Sequence, residues 1–95
     1  MNFGQALEAL KGGSSVARSG WNGKGMFLYH VPAGEYPART AIAKGQWGEN
    51  GLVPYGAYIA MKTAQDNVVP WLASQTDVLA DDWGIVVQGA ETKAA

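Results

Sequence analysis

Two stretches of this chain concentrate the side chains able to do chemistry. The first, Arg18-Ser19-Gly20-Trp21-Asn22-Gly23-Lys24-Gly25, sets a guanidinium, an indole and a carboxamide among glycines. The second runs from Trp71 through Thr76 and Asp77 to Asp82 and Trp83. Stacking one base on an aromatic ring is worth about 1–3 kcal/mol. Uncovered glycine N–H groups, helped by Arg18, can hold a diphosphate without a basic protein. Asn22, Thr76, Asp77 and Asp82 supply donors and acceptors suited to a base edge or a ribose. Together they describe a pocket for a small nucleotide, although composition alone ranks a sugar or a peptide equally. The glycine run also reads simply as a tight turn with Trp21 as a lid over a small core.

Catalytic readings are weaker. His30 is the single histidine and sits in a strand-like run beside Leu28, which fits a structural residue. Ser74, Asp77 and His30 could be drawn as a triad, yet no nucleophile elbow surrounds Ser74, and helix capping accounts for Ser74 and Asp77. Asp77, Asp81 and Asp82 lack the loop spacing of a calcium site. The pattern Gly20-x-x-Gly23-x-Gly25 follows no long strand and opens no helix, so a phosphate-binding glycine loop is excluded. The residues imply no cofactor, no metal and no catalytic centre.

The elements that must position these groups are legible in order. Phe3, Ala6, Leu7 and Leu10 form one apolar stripe, Asn2 and Gln5 form a capping box, and Gly12-Gly13 ends the run, predicting a helix over 3–11. Val16-Ala17-Arg18 is short and extended. Asn22-Gly23 between extended runs is a hairpin signal, because both residues tolerate positive φ. Met26 to Val31 alternates two mostly apolar faces, as a central strand or one covered by a partner does. Pro32 to Pro54 shows no sustained period; Ala41-Ile42-Ala43 is its candidate strand, and Trp47 is either an interface anchor or a local plug. Tyr55 to Met61 alternates again, Gln65-Asp66-Asn67 is a turn, and Val68 to Trp71 is a strand that Pro70 assigns to an edge or bulge. Ser74-x-x-Asp77 starts a short helix, Trp83 to Gln88 is the last strand, and 89–95 reads as a frayed tail. The predicted class is α+β: one domain over 1–95, with an antiparallel sheet of four to five strands, an N-terminal helix and a short helix before the last strand.

Composition bounds the partners. With 47% hydrophobic and 16% charged residues and a net charge of −1, the chain is globular and lacks the basic stripe that grips a nucleic-acid polymer. Four Trp and four Tyr in 95 residues exceed what so small a monomer buries, which points to a second copy covering some of them. There is no cysteine, hence no disulfide frame, thiolate nucleophile or thiolate zinc site. Met1-Asn2-Phe3 carries no basic n-region and no run reaches membrane-spanning length, so a reducing cytoplasm is the expected home.

The blocks Phe3…Ala6-Leu7…Leu10-Lys11-x-Gly13 and Val16-Ala17-Arg18-x-Gly20-Trp21-Asn22-Gly23-Lys24-Gly25-Met26 match a known pattern. So do Met61-Lys62-Thr63-Ala64, Val69 to Asp77 and Leu79-Ala80-x-Asp82-Trp83. In this order they resemble a small phage and prophage family, that of the second Thoeris anti-defence protein; the segment from about Gly34 to Leu52, with Arg39 and Trp47, is not covered. The resemblance implies a non-catalytic sponge in the host cytoplasm. It would bind cyclic ADP-ribose-type immune signals, with cyclic oligonucleotides of CBASS as a further class, and leave them intact. It also implies a homo-tetramer with pockets at subunit interfaces. Carried over by position, the ligand-binding residues are Arg18, Trp21, Asn22, Trp71, Thr76, Asp77, Asp82 and Trp83. Trp21 or Trp71 would stack the adenine, Asp77 or Asp82 would accept from ribose hydroxyls, and Arg18 with the Gly23–Gly25 amides would meet the phosphates. Trp83 serves equally well as a core residue. A signal-cleaving enzyme and a phage protein-interaction module are the competing readings.

Overall fold

The computed structural model describes residues 1–87; the tail 89–95 lies outside the described residues, as does the final residue of the predicted last strand. The order is α1 (Phe3–Lys11), β1 (Ser15–Arg18), β2 (Phe27–Val31), β3 (Gly34–Pro37), α2 (Ala41–Trp47), β4 (Leu52–Tyr55), β5 (Tyr58–Lys62), β6 (Val68–Pro70), α3 (Gln75–Leu79) and β7 (Trp83–Val86). A five-stranded antiparallel sheet runs β6-β5-β2-β1-β7, and β3 pairs with β4 in a separate ribbon. The class is α+β, as the sequence predicts.

Helix α1 forms where its caps and stripe require. The Gln5 N–H donates to Asn2 Oδ1 and the Asn2 N–H to Gln5 Oε1, each at 2.9 Å, satisfying two N-terminal donors reciprocally. Gly12 closes the helix by donating to the Glu8 carbonyl, and Gly13 turns the chain away at φ +100°. The buried stripe, Ala6 and Leu10, packs on Val16, Leu28 and Trp83 to make the core. Val16 and Leu28 are register partners on β1 and β2, so this core covers one face of the sheet. Phe27, Tyr29 and Val31 alternate onto the other face.

Strand β2 is central, with β1 and β5 on either side, and β6 with Pro70 is an edge strand, both in keeping with the sequence. The turn between β5 and β6 is also where expected, with Asp66 at φ 67°. Three local expectations are corrected. The loop joining β1 to β2 is not a two-residue Asn22-Gly23 turn; its left-handed residue is Gly25 at φ +74°, and neither Asn22 nor Gly23 has positive φ. Ala41-Ile42-Ala43 is not a strand but the first turn of α2, capped by Thr40 Oγ1, which accepts the Ala43 N–H at 3.0 Å. No residue of α2 is buried, so the helix has no apolar stripe for a periodicity argument to detect.

The run Tyr55 to Met61 is not one strand: pairing breaks at Gly56-Ala57, opposite Pro32-Ala33. Pro32 has no N–H to give the ladder. The register nevertheless carries straight through the break. Val31 faces Tyr58 before it and Gly34 faces Tyr55 after it, so the ribbon is the distal half of one long arm that begins as β2 and β5. Helix α2 and the Gly48–Gly51 turn close its tip. The radius of gyration, 15.9 Å, exceeds the roughly 13 Å of a compact 100-residue domain, as an arm standing off the sheet requires.

Candidate functional site

Arg18 ends β1, Asp77 lies in the first turn of α3, and Asp82 immediately precedes β7. Pairing of β1 with β7 sets Arg18 opposite Trp83 and so brings these acids beside it. Arg18 Nε lies 2.8 Å from Asp82 Oδ1, and Arg18 Nη1 lies 2.8 Å from Asp77 Oδ1. The guanidinium is therefore a bridge between the start of α3 and the start of β7, with its side chain only 16% exposed.

The glycine turn hangs on the same carboxylates. Asp82 Oδ2 accepts the Gly20 N–H at 2.8 Å and the Ser19 hydroxyl at 3.4 Å, while the Asp82 carbonyl accepts the Ser19 N–H. A Cβ on Gly20 would stand 2.8 Å from Asp82 Oδ2, so any larger residue here displaces that carboxylate oxygen. Asp77 Oδ1 also accepts the Trp21 indole N–H at 3.2 Å. Its own backbone N–H donates to Ser74 Oγ at 3.0 Å, which makes Ser74 a helix cap.

These bonds set the charge states. Bonding to Arg18 is the largest influence on Asp82 and holds its carboxyl below the usual range. Burial pushes Asp77 upward, but bonds from Arg18, Trp21 and Ser74 outweigh it and leave that carboxyl low as well. Arg18 is raised, first by Asp82 and then by Asp77. Near neutral pH the trio is one cation between two anions, and neither acid is a proton donor.

Behind the trio lies an aromatic cluster. Trp83 is 3% exposed and donates its indole N–H to the Asp77 carbonyl at 2.9 Å. Trp21 and Trp71 meet it edge-on, with ring centroids 5.4 and 6.1 Å away, and Phe3 packs against both Trp71 and Trp83. Trp21 and Trp71 remain partly exposed at the surface of this cluster. Asn22 and Thr76 are exposed nearby in sequence, and neither joins the hydrogen-bonded network among the described residues. The structure thus gathers Arg18, Trp21, Trp71, Asp77, Asp82 and Trp83 at one end of the sheet. Phe3 is a member of the cluster that sequence reasoning assigned only to the α1 stripe; its position at the start of α1 carries no signal of a tryptophan neighbour.

No group of three or more His, Cys, Asp or Glu side chains among the described residues is placed to hold a metal ion. No helix of the described residues is long and apolar enough to cross a membrane.

Residues 1–86 match the family described as the Thoeris anti-defense 2-like domain. The chain is also 44% identical over 86 residues to a protein of Bacillus phage SP01 named Thoeris anti-defense 2, covering 90% of this chain and 94% of that protein. The matched span takes in every element from α1 to β7, and with them the whole Arg18–Asp77–Asp82 network: this chain belongs to the Thoeris anti-defense 2-like family.

Proposed function

We propose that this protein is an anti-defence factor that sequesters a small cyclic nucleotide signal of the cyclic ADP-ribose type in the host cytoplasm, without catalysis. Cyclic oligonucleotides of CBASS are a second ligand class under this reading. The observation that carries it is the convergence of Trp21 and Trp71, partly exposed, around an Arg18–Asp77–Asp82 network drawn from three distant parts of the chain. A partly exposed indole offers a stacking surface for adenine. Asp77 and Asp82, held ionised, accept hydrogen bonds from ribose hydroxyls. Arg18 and the amides of the Gly23–Gly25 segment face the phosphates. Asn22 and Thr76 reach the ligand from the rim, and Trp83 supports the two outer rings from within the core.

Sequestration works by stoichiometry and so needs tight binding, with nanomolar affinity corresponding to about −12 kcal/mol. An open surface on one 95-residue chain does not supply that, and a water-poor interface does. A homo-tetramer enclosing the ligand between copies meets this need. The stand-off arm and the exposure of Leu72 (90%) and Leu79 (77%), which flank Trp71 and Asp77 in sequence, favour an assembled form. The family name supports the anti-defence role. The low carboxyl pKa values and the capping role of Ser74 favour retention of the signal over its cleavage. The test is incubation with a panel of cyclic nucleotide signals, then separation of bound from free, heat release and mass spectrometry. Recovery of one signal unchanged, in fixed ratio to protein, is expected; a hydrolysed product or no retained signal overturns the reading.

A further inference from the structure

The turn that carries Trp21 and the Gly23–Gly25 amides is tied at both ends, by different parts of the chain. At its start, Asp82 Oδ2 accepts the Gly20 N–H and anchors the turn to the start of β7. At its end, Lys62 Nζ donates to the Gly25 carbonyl at 3.1 Å. Strand register explains the reach. Phe27 and Lys62 are partners across β2 and β5, so the lysine lies beside the residue two places past Gly25, its ammonium 6.0 Å from the centroid of the Phe27 ring. Asp66, in the turn that follows β5, holds the same ammonium, Nζ to Oδ1 at 2.5 Å. The middle of the glycine turn leans on this region as well: a Cβ on Gly23 would stand 3.1 Å from that of Ala64. Lys62, with its side chain 26% exposed, therefore joins the glycine turn, β2 and the β5–β6 turn.

We propose that Lys62 is a positioning residue for the candidate site: by holding the Gly25 carbonyl it fixes the far end of the glycine turn, and with it the amides offered to the signal. This assignment rests on the proposed function, in which those amides meet the phosphates. Glycine is what makes a second anchor necessary. Three glycines within six residues leave the turn much backbone freedom, and Gly25 itself stands at φ +74°. Held by Asp82 alone, the segment beyond Gly20 pivots; a second fixed point orders it before the signal arrives, so less ordering is left to oppose binding. The exposed Asp66 adds little stability through its ion pair. Its effect is to keep a long, flexible side chain aimed at Gly25.

Three variants of the full chain test this. Lys62→Met keeps the aliphatic stem and loses the donor, and Lys62→Arg restores a donor and a charge. Asp66→Asn removes the acid while keeping a residue that tolerates the φ of 67° found there, and it carries the test should Lys62→Met fail to fold. Each is compared with the parent by ¹³C and ¹⁵N NMR without ligand, by thermal unfolding, and by calorimetry with the cyclic ADP-ribose isomer that the parent retains from the panel of signals. In Lys62→Met the Gly25 carbonyl resonance moves upfield and the Gly23–Gly25 amides broaden. Affinity falls by about tenfold at a temperature where the variant is folded, and Lys62→Arg recovers most of both effects. Asp66→Asn separates positioning from direct contact by its sign. A lysine touching an anionic signal binds it more tightly once the neighbouring carboxylate is gone, whereas a positioning lysine binds it about two- to threefold more weakly. An unmoved Gly25 resonance or unchanged affinity in Lys62→Met, no recovery in Lys62→Arg, or equal or tighter binding by Asp66→Asn overturns the assignment. If the parent retains no isomer, the proposed function fails, and the ligand-free Gly25 resonance by itself decides whether Lys62 holds the turn.

Discussion

The indole N–H of Trp21 donates to Oδ1 of Asp77 at 3.2 Å, across a separation of 56 positions, and that same oxygen receives Arg18 Nη1 at 2.8 Å. The partly exposed ring of Trp21 and the guanidinium that joins α3 to β7 are therefore held by one atom. Asp77→Asn keeps an oxygen for the indole but removes the charge that binds Arg18. The expected result is a shifted, broadened Trp21 indole resonance in the ¹H–¹⁵N spectrum and signal affinity reduced by about tenfold or more. A spectrum matching the parent protein would show that Asp77 does not position Trp21.

Trp21 and Trp83 should part company on substitution. Trp21→Ala removes a partly exposed ring and is expected to weaken signal binding strongly by calorimetry while lowering the melting temperature less than Trp83→Ala does. Trp83→Ala removes a ring that is 3% exposed at the centre of the core, with a loss of about 3–5 kcal/mol in urea unfolding.

Acid should loosen the network in a defined direction. Asp77 and Asp82 have folded pKa values below their unfolded ones, so the folded state binds fewer protons than the unfolded state as pH falls. Their contribution is fully present above the unfolded carboxylate value of about 3.9 and is lost as pH drops through the lower folded values. Unfolding free energies between neutral pH and pH 2 should fall on that limb, and Arg18→Gln should make the limb shallower, because it removes the partner that depresses both acids.

Ser74 separates capping from catalysis. Ser74→Ala deletes the acceptor of the Asp77 N–H and is expected to lower stability by about 1 kcal/mol. The signal recovered from the variant should be as intact as from the parent protein; a change in its chemical fate would reinstate Ser74 as a nucleophile.

Gly20 probes the approach of the turn to Asp82. In Gly20→Ala the new methyl would lie 2.8 Å from Asp82 Oδ2, which accepts the Gly20 N–H while Asp82 Oδ1 accepts from Arg18 Nε, so the carboxylate must move. A weaker signal affinity with a displaced Trp21 resonance is expected, and an unperturbed spectrum would detach the turn from the network.

Interactions between residues a few positions apart were legible in the chain alone. The Asn2–Gln5 box, the Ser74 cap, the α1 stripe, the Asp66 turn and the assignment of Pro70 to an edge strand all rest on contacts within about one helical turn or on the period of a single strand. The residue types of the candidate site were legible too, since indoles, carboxylates and glycines declare their chemistry wherever they stand. Three things were decided only by the tertiary structure. Arg18 meets Asp77 and Asp82 across 59 and 64 positions, which makes its guanidinium a bridge between the start of α3 and the start of β7. Helix α2 has no buried face and so left no period to read. A cleft walled by Tyr29, Tyr36, Tyr55 and Tyr58 draws on four strands, β2 to β5, whose pairing is interrupted at Pro32-Ala33 and Gly56-Ala57. Local backbone preference is written in neighbouring residues, whereas a salt bridge or a cavity depends on which distant strands pair, and burial of the shared core on α1 determines that.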